Sequence, residues 1–426
     1  MADRKTFFVF TTGCKANQWD SHVLADKLEH AGFTRVPAEA ADLVVVNACS
    51  LTRRAETDAR RFIRRARQAN PHALVALAGC HAQAYPMRDF GADLVLGQAE
   101  KFEIDRYLLE KGRFVSSNRL VPMEKTAIDT QKDRTRFFFK IQDGCDKFCS
   151  YCIVPLARGA GRSRPADDVA ATMEAVLKSG IKEVVLTGID IAAYRDPASG
   201  MGLKDLLLSF DRLPTPPRIR LSSVDPDYLD DAFIEVLAAS GKVAKSIHIP
   251  VQSGSDGILK AMGRRYGSAF IAGLVKDLKK RIPSIGIGID IMAGFPGEDA
   301  IAFDETCAFI EALDVSYLHV FPYSERPGAR AAAFGGKVAE SVKRRRVKKL
   351  KEIDAAKREA FSRHHLGMRV CIIPEAKMYA GRFMRGFSDN YLPVYIPYEK
   401  TLENNLVDVT ITDMQESRLI GGFRCS

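Results

Sequence analysis

Short apolar runs recur along the first three quarters of the chain at intervals that leave room for one helix between them. This alternation is what most limits the fold. Phe7–Phe10, Leu43–Val46, Leu74–Leu77 and Leu94–Leu96 are too short for helices and read as buried strands. Asn17–His30, carrying Val23, Leu24 and Leu28, and Arg53–Gln68 have helical spacing between them. Such alternation predicts an α/β unit, a mostly parallel sheet with helices on both faces. A second series begins at Arg136, with strand candidates Phe137–Ile141, Glu183–Leu186, Ile219–Leu221, Ser246–Ile249, Ile285–Ile291 and Tyr317–Val320. Helical stretches such as Asp167–Lys178, Asp227–Ala239, Ala269–Lys280 and Ala300–Leu313 separate them. Six such units are too few to close an eight-fold barrel. Between the two series the chain turns polar, and residues 119–135 read as a linker. Toward the C-terminus five short β-prone runs follow: Arg369–Ile373, Arg382–Met384, Leu392–Ile396, Val407–Ile411 and Leu419–Phe423. With Gly381, Gly386, Asp389, Asn390 and Pro397 between them, they predict a small all-β barrel of the oligonucleotide-binding type. The expected division is 1–118, 136–363 and 364–426.

The chemistry is carried by cysteines. After the apolar run at Phe137, Gly144 breaks the strand and Cys145, Cys149 and Cys152 follow as C-x3-C-x2-C. A structural zinc site wants four ligands, and the spacing supplies three. Iron–sulfur cubanes are held by thiolates, normally four, so three leave one iron open to an outside ligand. Tyr151, directly before the last cysteine, adds a ring able to stack on a flat ligand. The alternative is a degenerate zinc knuckle. Three further cysteines each follow an expected strand of the first series: Cys14 in TTGCKAN, Cys49 in VVVNACS and Cys80 in ALAGC. Ligands of open parallel sheets gather at the carboxyl ends of strands, so these thiols are expected to converge. The plain alternative is three small thiols buried near strand ends. Cys307 and Cys371 sit in apolar patterns and Cys425 is near the end, so none is read as a ligand. His248 and His319 lie within apolar runs and read as satisfied core histidines.

Charge points to a polyanionic partner. The chain of 426 residues has a net charge of +10, and a span of 17 residues from Arg53 carries seven arginines, Arg61 and Arg64 among them. Those arginines track phosphates or form an ordinary solvated face. The run KRRRVKKLKE, within Ala339–His364, likewise packs as a last barrel helix or meets RNA as well. In the final segment Arg382, Arg385 and Tyr391 offer phosphate contact and base stacking. Nine cysteines, several at ligand-like positions, predict a reducing compartment, and no apolar run approaches membrane-spanning length. The expectation is a cytoplasmic protein.

FFFKIQDGCDKFCSYC resembles the fingerprint of radical S-adenosylmethionine (SAM) enzymes, with an aromatic residue before the third cysteine. That resemblance implies a [4Fe-4S] cluster on Cys145, Cys149 and Cys152, SAM on its open iron, and a partial (β/α)6 barrel. TTGCKANQ, VVNACS and AGCHAQ resemble the amino-terminal domain of the methylthiotransferases, a flavodoxin- or Rossmann-like sheet. There the resemblance implies a second, auxiliary [4Fe-4S] cluster on Cys14, Cys49 and Cys80 that handles the inserted sulfur. GRFMRGFSDNYLPVYI resembles the RNA-binding TRAM domain. The strand-end segments TGID, SSVDP, PVQSGS and MAGFPGE match the family in order, which implies SAM contacts from Tyr151, Thr187, Gly188, Ser222, Ser223, Gln252 and Gly294. GCKAN, LTGI and LHVFPYSERPGA are most similar to the branch acting on threonylcarbamoyladenosine. The function so implied is methylthiolation of C2 of N6-threonylcarbamoyladenosine at tRNA position 37, with no conventional acid or base. One SAM methylates sulfur and a second yields the radical. Implied partners are the tRNA anticodon stem-loop, a reductant protein such as a flavodoxin, and a sulfur donor. The alternatives are isopentenyladenosine in tRNA, an aspartate of a small-subunit ribosomal protein, or a non-catalytic iron–sulfur RNA-binding protein.

Overall fold

The computed structural model describes residues 5–108, 110–116, 123, 135–213 and 217–423. Of the expected linker only Met123 and Thr135 are among them, and Cys425 lies outside the described residues.

The first body is a six-stranded parallel sheet of order β2-β1-β3-β4-β5-β6. Its strands are β1 (Thr6–Thr11), β2 (Thr34–Arg35), β3 (Leu43–Asn47), β4 (Leu74–Ala78), β5 (Leu94–Leu96) and β6 (Gly112–Phe114). The central strands are mainly apolar because helices cover both faces. Leu43 and Val45 join one core with α1 (Lys15–His30), and Val44 and Val46 join another with α2 (Arg53–Ala69). The hydroxyl of Thr52 accepts from the amide of Ala55 at 3.2 Å and starts α2. The short α3 (Cys80–Ala84) follows β4. The edge strands β2 and β6 were not expected from the sequence.

The second body is the partial barrel. Parallel strands β7 (Phe137–Lys140), β10 (Glu183–Thr187) and β11 (Arg218–Leu221) form one sheet, and β12 (Ser246–Gln252), β13 (Gly286–Ala293) and β14 (Tyr317–Pro322) another. The bridge between Ile219 and Val243 and the bond from the Val224 amide to His248 O, 2.8 Å, join the two sheets. Six parallel strands match the six expected. A small ribbon, β8 (Gln142–Asp143) with β9 (Arg162–Ser163), flanks α4 (Val154–Arg158) just after the first barrel strand. The outer helices are α5 (Ala166–Ser179), α6 (Leu203–Phe210), α7 (Asp231–Ala239), α8 (Asp256–Met262), α9 (Ser268–Arg281), α10 (Ala300–Ala312) and α11 (Glu340–His364). Val184, Leu186, Ile247, Ile249, Ile287, Ile289 and Ile291 join those helices in one core. The alternate residues, Glu183, His248 and Asp290 among them, therefore face the barrel interior.

The third body is a closed barrel of order β15-β16-β17-β19-β18. Its strands are β15 (Arg369–Tyr379), β16 (Phe383–Ser388), β17 (Pro393–Pro397), β18 (Val407–Gln415) and β19 (Arg418–Gly422). Ile372, Met384, Val394, Ile396, Val409 and Ile411 fill it.

Two junctions hold the bodies together. α1 is sandwiched, with Leu24 and Leu28 on its own sheet while Trp19 packs edge-on against Phe137 of β7, 5.9 Å between ring centres. At the opposite end the small barrel closes the floor of the large one. Arg218 donates to the carbonyls of Cys371 and Phe387 at 3.1 and 2.9 Å, and Arg220 to those of Ser388 and Asp389 at 2.9 Å each. Both guanidiniums and Arg136 surround Glu183, whose carboxylate lies 2.6 to 3.0 Å from each.

Candidate functional site

Cys14, Cys49 and Cys80 stand at the carboxyl ends of three adjacent strands, β1, β3 and β4. Two glycines let these loops close. Gly13 has φ +101°, and a Cβ there would lie 2.4 Å from the Cys49 Cβ. Gly79, directly before Cys80, has φ +89°, and its Cβ would lie 2.2 Å from the Asn47 side-chain oxygen. Side chains would be both strained and overlapping at these points. A pair of buried asparagines fixes the loops further. Asn17 donates to Thr12 O at 2.8 Å and Asn47 O at 3.1 Å, and Asn47 returns a bond to Asn17 O at 2.9 Å. The Thr12 hydroxyl accepts from the Cys49 amide at 3.0 Å. The sulfurs themselves meet donors: the Leu51 amide at 3.4 Å from Cys49 Sγ, and Gln98 Nε2 at 3.2 Å from Cys80 Sγ.

The barrel supplies another donor. Arg158, at the end of α4 and six residues beyond Cys152, places its Nε 3.1 Å from Cys80 Sγ. Its remaining nitrogens donate to Asp143 Oδ1 at 2.8 Å, and to Asn17 Oδ1 and Asp20 Oδ2 at 3.0 Å. Around it Lys101 meets Asp20 at 2.7 Å, Lys140 meets both Asp20 and Asp143, and Arg162 meets Asp143 at 2.9 Å. Four cations thus share two carboxylates in a site where Asp20 and Lys101 are wholly buried. An excess of buried positive charge is costly unless anions face it. The neighbouring thiols are the groups that can supply them.

Cys145, Cys149 and Cys152 line the loop between β8 and α4. The amides of Lys147 and Val154 point at Cys145 and Cys152 Sγ, both at 3.5 Å. Burial pushes the thiols of Cys14, Cys49 and Cys145 above their usual range, and that of Cys152 up to about 12. A bound metal would displace those protons. Among the described residues neither cysteine trio has its three sulfurs within 4.8 Å of one another. Four 2.3 Å bonds around one zinc would hold sulfurs about 3.8 Å apart.

The remaining expected site residues divide. Ser222 Oγ and Gln252 Oε1 are buried with no hydrogen-bond partner, and Gln252 adopts φ +75°. Buried orphans of this kind want a ligand. Tyr151 packs beside Met262, Met292 and Phe295, and its hydroxyl accepts from Arg264 at 3.0 Å. Arg264 also meets Asp225 at 2.9 Å, and Lys147 meets Asp225 at 2.7 Å. Sequence reasoning missed this charged set, as it missed Arg158 and Asp20. Thr187 is buried, with its carbonyl accepting from the Ile141 amide at 2.9 Å. Gly188 passes close to Gln142, and Ser223 is exposed. The Gly294 amide is taken by both oxygens of Glu298 at 3.0 Å. Beyond these, Asp290 Oδ1 lies 3.0 Å from His248 Nε2 and 2.9 Å from His319 Nδ1, and Tyr317 Oη lies 3.2 Å from His248 Nδ1. His319 is not a core histidine, since its side chain is 71% exposed. Its hydrogen bond to Asp290 holds its pKa above the usual histidine range.

Of the RNA candidates, Arg61 and Arg64 lie exposed on the outer face of α2, and Arg382 is exposed beside Phe383. The other two have partners within the protein. Arg385 is half-buried and bonded to Glu375 at 2.7 Å, and Tyr391 stacks on Phe387 at 4.9 Å with Arg220 over its ring. Docking against the large barrel uses the Tyr391 face that stacking on RNA would need. The basic helix α11 packs on the barrel, burying Lys343 and Arg346, and leaves Arg344, Arg345, Lys348, Lys349 and Lys351 exposed.

A thiolate trio at the mouth of a six-stranded partial barrel, with unpaired polar atoms beneath it, defines the class of radical SAM enzymes. Residues 139–310 match the radical SAM superfamily, and residues 6–97 match an uncharacterized protein family, UPF0004. A Kitasatospora setae radical SAM methyltransferase, TsrM, solved with cobalamin and a [4Fe-4S] cluster, shares the fold at TM-score 0.56 and 18% identity, covering 77% of each chain. The Bacillus subtilis threonylcarbamoyladenosine tRNA methylthiotransferase MtaB is 34% identical over 94% of this chain and 92% of its own. Its Thermotoga maritima counterpart is 33% identical over 93% and 91%. A Clostridium botulinum tRNA-2-methylthio-N(6)-dimethylallyladenosine synthase is 32% identical over 83% of each. The chain belongs to the radical SAM tRNA methylthiotransferase family. It is a transferase of that family. Among the described residues no helix is long and apolar enough to cross a membrane.

Proposed function

We propose that the enzyme adds a methylthio group to C2 of N6-threonylcarbamoyladenosine at tRNA position 37. One observation carries the chemistry: the barrel's arginine six residues beyond Cys152 reaches across to bond Cys80 of the other cysteine trio. The C2–H bond has no usefully acidic proton, so a general base has little to act on. SAM and the clusters, on Cys145, Cys149 and Cys152 and on Cys14, Cys49 and Cys80, supply the radical and sulfur chemistry when bound. The side chains bind and position. Ser222 and Gln252 hold the cofactor's polar groups from below, Tyr151 walls its flank, and the backbone at Thr187, Gly188 and Gly294 shapes the rim.

The barrel interior favours the threonyl substrate over an isopentenyl one. His319, exposed inside the barrel and held by Asp290, offers a polar partner to the threonyl group. An apolar isopentenyl group would desolvate these polar side chains and give them no new partner in return. Five relatives named for the threonylcarbamoyl substrate, 31 to 34% identical, support the same reading. The base must leave its stack to reach the site, which a loop permits cheaply. Sulfur and electrons come from outside, from a sulfur donor and a reductant such as a flavodoxin, in the cytoplasm.

Nucleoside mass spectrometry of tRNA from a strain lacking the protein tests the assignment. The 2-methylthio derivative of threonylcarbamoyladenosine should vanish and return on complementation. Loss from isopentenyladenosine, or from an aspartate of a ribosomal protein, would overturn it.

The exposed cations of α2 and α11 form the tRNA track. Arg61, Arg64 and Arg65 have no ion-pair partner among the described residues, and they line or flank a cavity of about 540 Å³ that reaches Thr12 and Gly13. Changing these three arginines to glutamate should weaken tRNA binding at least tenfold. The slope of log affinity against log salt should flatten by roughly 1 to 3 if one to three phosphates are lost. Unchanged affinity and slope in a filter-binding titration would return this face to plain solvation.

A further inference from the structure

We propose that Arg158 is a positioning residue for the auxiliary site, by which the barrel body both orients Cys80 and raises the reduction potential of what the three amino-terminal thiols hold. The proposal rests on reading Cys14, Cys49 and Cys80 as cluster ligands. Arg158 sits on the helix that follows the SAM-site cysteines, yet its Nε is aimed at a sulfur of the other trio, 3.1 Å away. The guanidinium cannot swing off, because Asp143, Asp20 and Asn17 hold its other nitrogens at 2.8 to 3.0 Å. It is 3% exposed, so solvent does not screen its charge.

The charges around it all push one way. Lys101, Lys140, Arg158 and Arg162 share only Asp20 and Asp143. Gln98, itself bonded to Lys101 at 2.6 Å, adds a second donor to Cys80 Sγ at 3.2 Å. Reducing a thiolate-bound cluster adds one negative charge. Hydrogen bonds to ligand sulfur and nearby positive charge both stabilise that reduced form. Arginine is suited to this place because its planar fork serves four partners at once while staying charged. The same contact crosses between the two bodies. The first body cannot shift relative to the barrel without pulling Cys80 away from Arg158.

The experiment uses the full-length chain with Cys145, Cys149 and Cys152 replaced by alanine, reconstituted anaerobically so that only the auxiliary site can load. Iron and sulfide are counted, and the protein is titrated with dithionite and mediators while the electron paramagnetic resonance signal is followed. About four irons in this parent confirm the ligand reading on its own, and no iron would sink that reading and the proposal with it. With the parent loaded, Arg158→Met should lower the midpoint so that the ratio of reduced to oxidised cluster at the parent's midpoint potential falls at least tenfold, about 59 mV for one electron. Arg158→Lys, which keeps the charge but not the fork, should shift in the same direction by less, and Gln98→Leu by less again. If Arg158→Met does not load, Arg158→Lys decides. A cluster that titrates at the parent's potential in Arg158→Lys, or variants that merely lose iron while the remainder titrates unchanged, would reduce Arg158 to a structural contact and overturn the proposal.

Discussion

Replacing Cys14, Cys49 and Cys80 together by alanine is expected to take the reconstituted wild-type protein from about eight irons to about four. The variant should still cleave SAM reductively, because Cys145, Cys149 and Cys152 sit on a separate loop whose sulfurs take their amide contacts from Lys147 and Val154. Formation of the methylthio product should disappear. The complementary alanine variant at Cys145, Cys149 and Cys152 should keep about four irons and lose SAM cleavage altogether. This pair separates the two sites by function as well as by metal count. The result that would break the assignment is a first variant that retains eight irons, or one that loses SAM cleavage while its fold and remaining iron are intact. Inert clusters in the wild-type protein, with RNA affinity preserved, would favour a binding protein over an enzyme.

The second large effect is at the floor of the barrel. Glu183 is fully buried; burial alone would raise its pKa, but Arg220, Arg218 and Arg136 pull it down to about 2. An unfolded glutamate titrates near pH 4.3, so the folded state is the stronger acid. The stabilisation is therefore present in full above roughly pH 4.3 and is lost as pH falls toward 2. It is worth roughly 3 kcal/mol at neutral pH. Glu183→Gln leaves three guanidiniums around a neutral group and should destabilise the protein by about 3 to 5 kcal/mol, as when one partner of a buried ion pair is removed. Because Arg218 and Arg220 also hold carbonyls of the small barrel, its docking should loosen together with the floor. Urea denaturation at pH 7 and pH 3 checks both statements. A wild-type stability that does not fall between those pH values more steeply than that of Glu183→Gln would refute the linkage.

How much could be read from the chain alone follows from burial. Strands such as Leu43–Asn47 and Gly286–Ala293 are largely buried, so they appear as mainly apolar runs and their places were legible. The edge strands Thr34–Arg35 and Gly112–Phe114 are short and more exposed, and carry no such signal. The cysteines were legible because loop thiols at strand ends and C-x3-C-x2-C spacing have few other causes. Asp20 and Arg158 were not. Neither carries a local signal, and apart from Asp143, 15 residues before Arg158, the partners named for them lie 78 to 141 residues away along the chain. The contacts of Tyr391 and Arg385 were hidden for the same reason: an aromatic and a cation in a small β-barrel look alike in sequence whether or not they pack on their own protein.

The amino-acid sequence by itself determined the three-body architecture, the order of the strands along the chain and the six thiols, because local periodicity and ligand spacing are properties of neighbours. Only the tertiary structure decided what those thiols face. It brought Arg158 onto Cys80, enclosed Glu183 among three arginines, and turned His319 into the barrel. Each of these depends on charges distant in sequence sharing one desolvated place, where a carboxylate or guanidinium is tolerated only if its partners have already arrived.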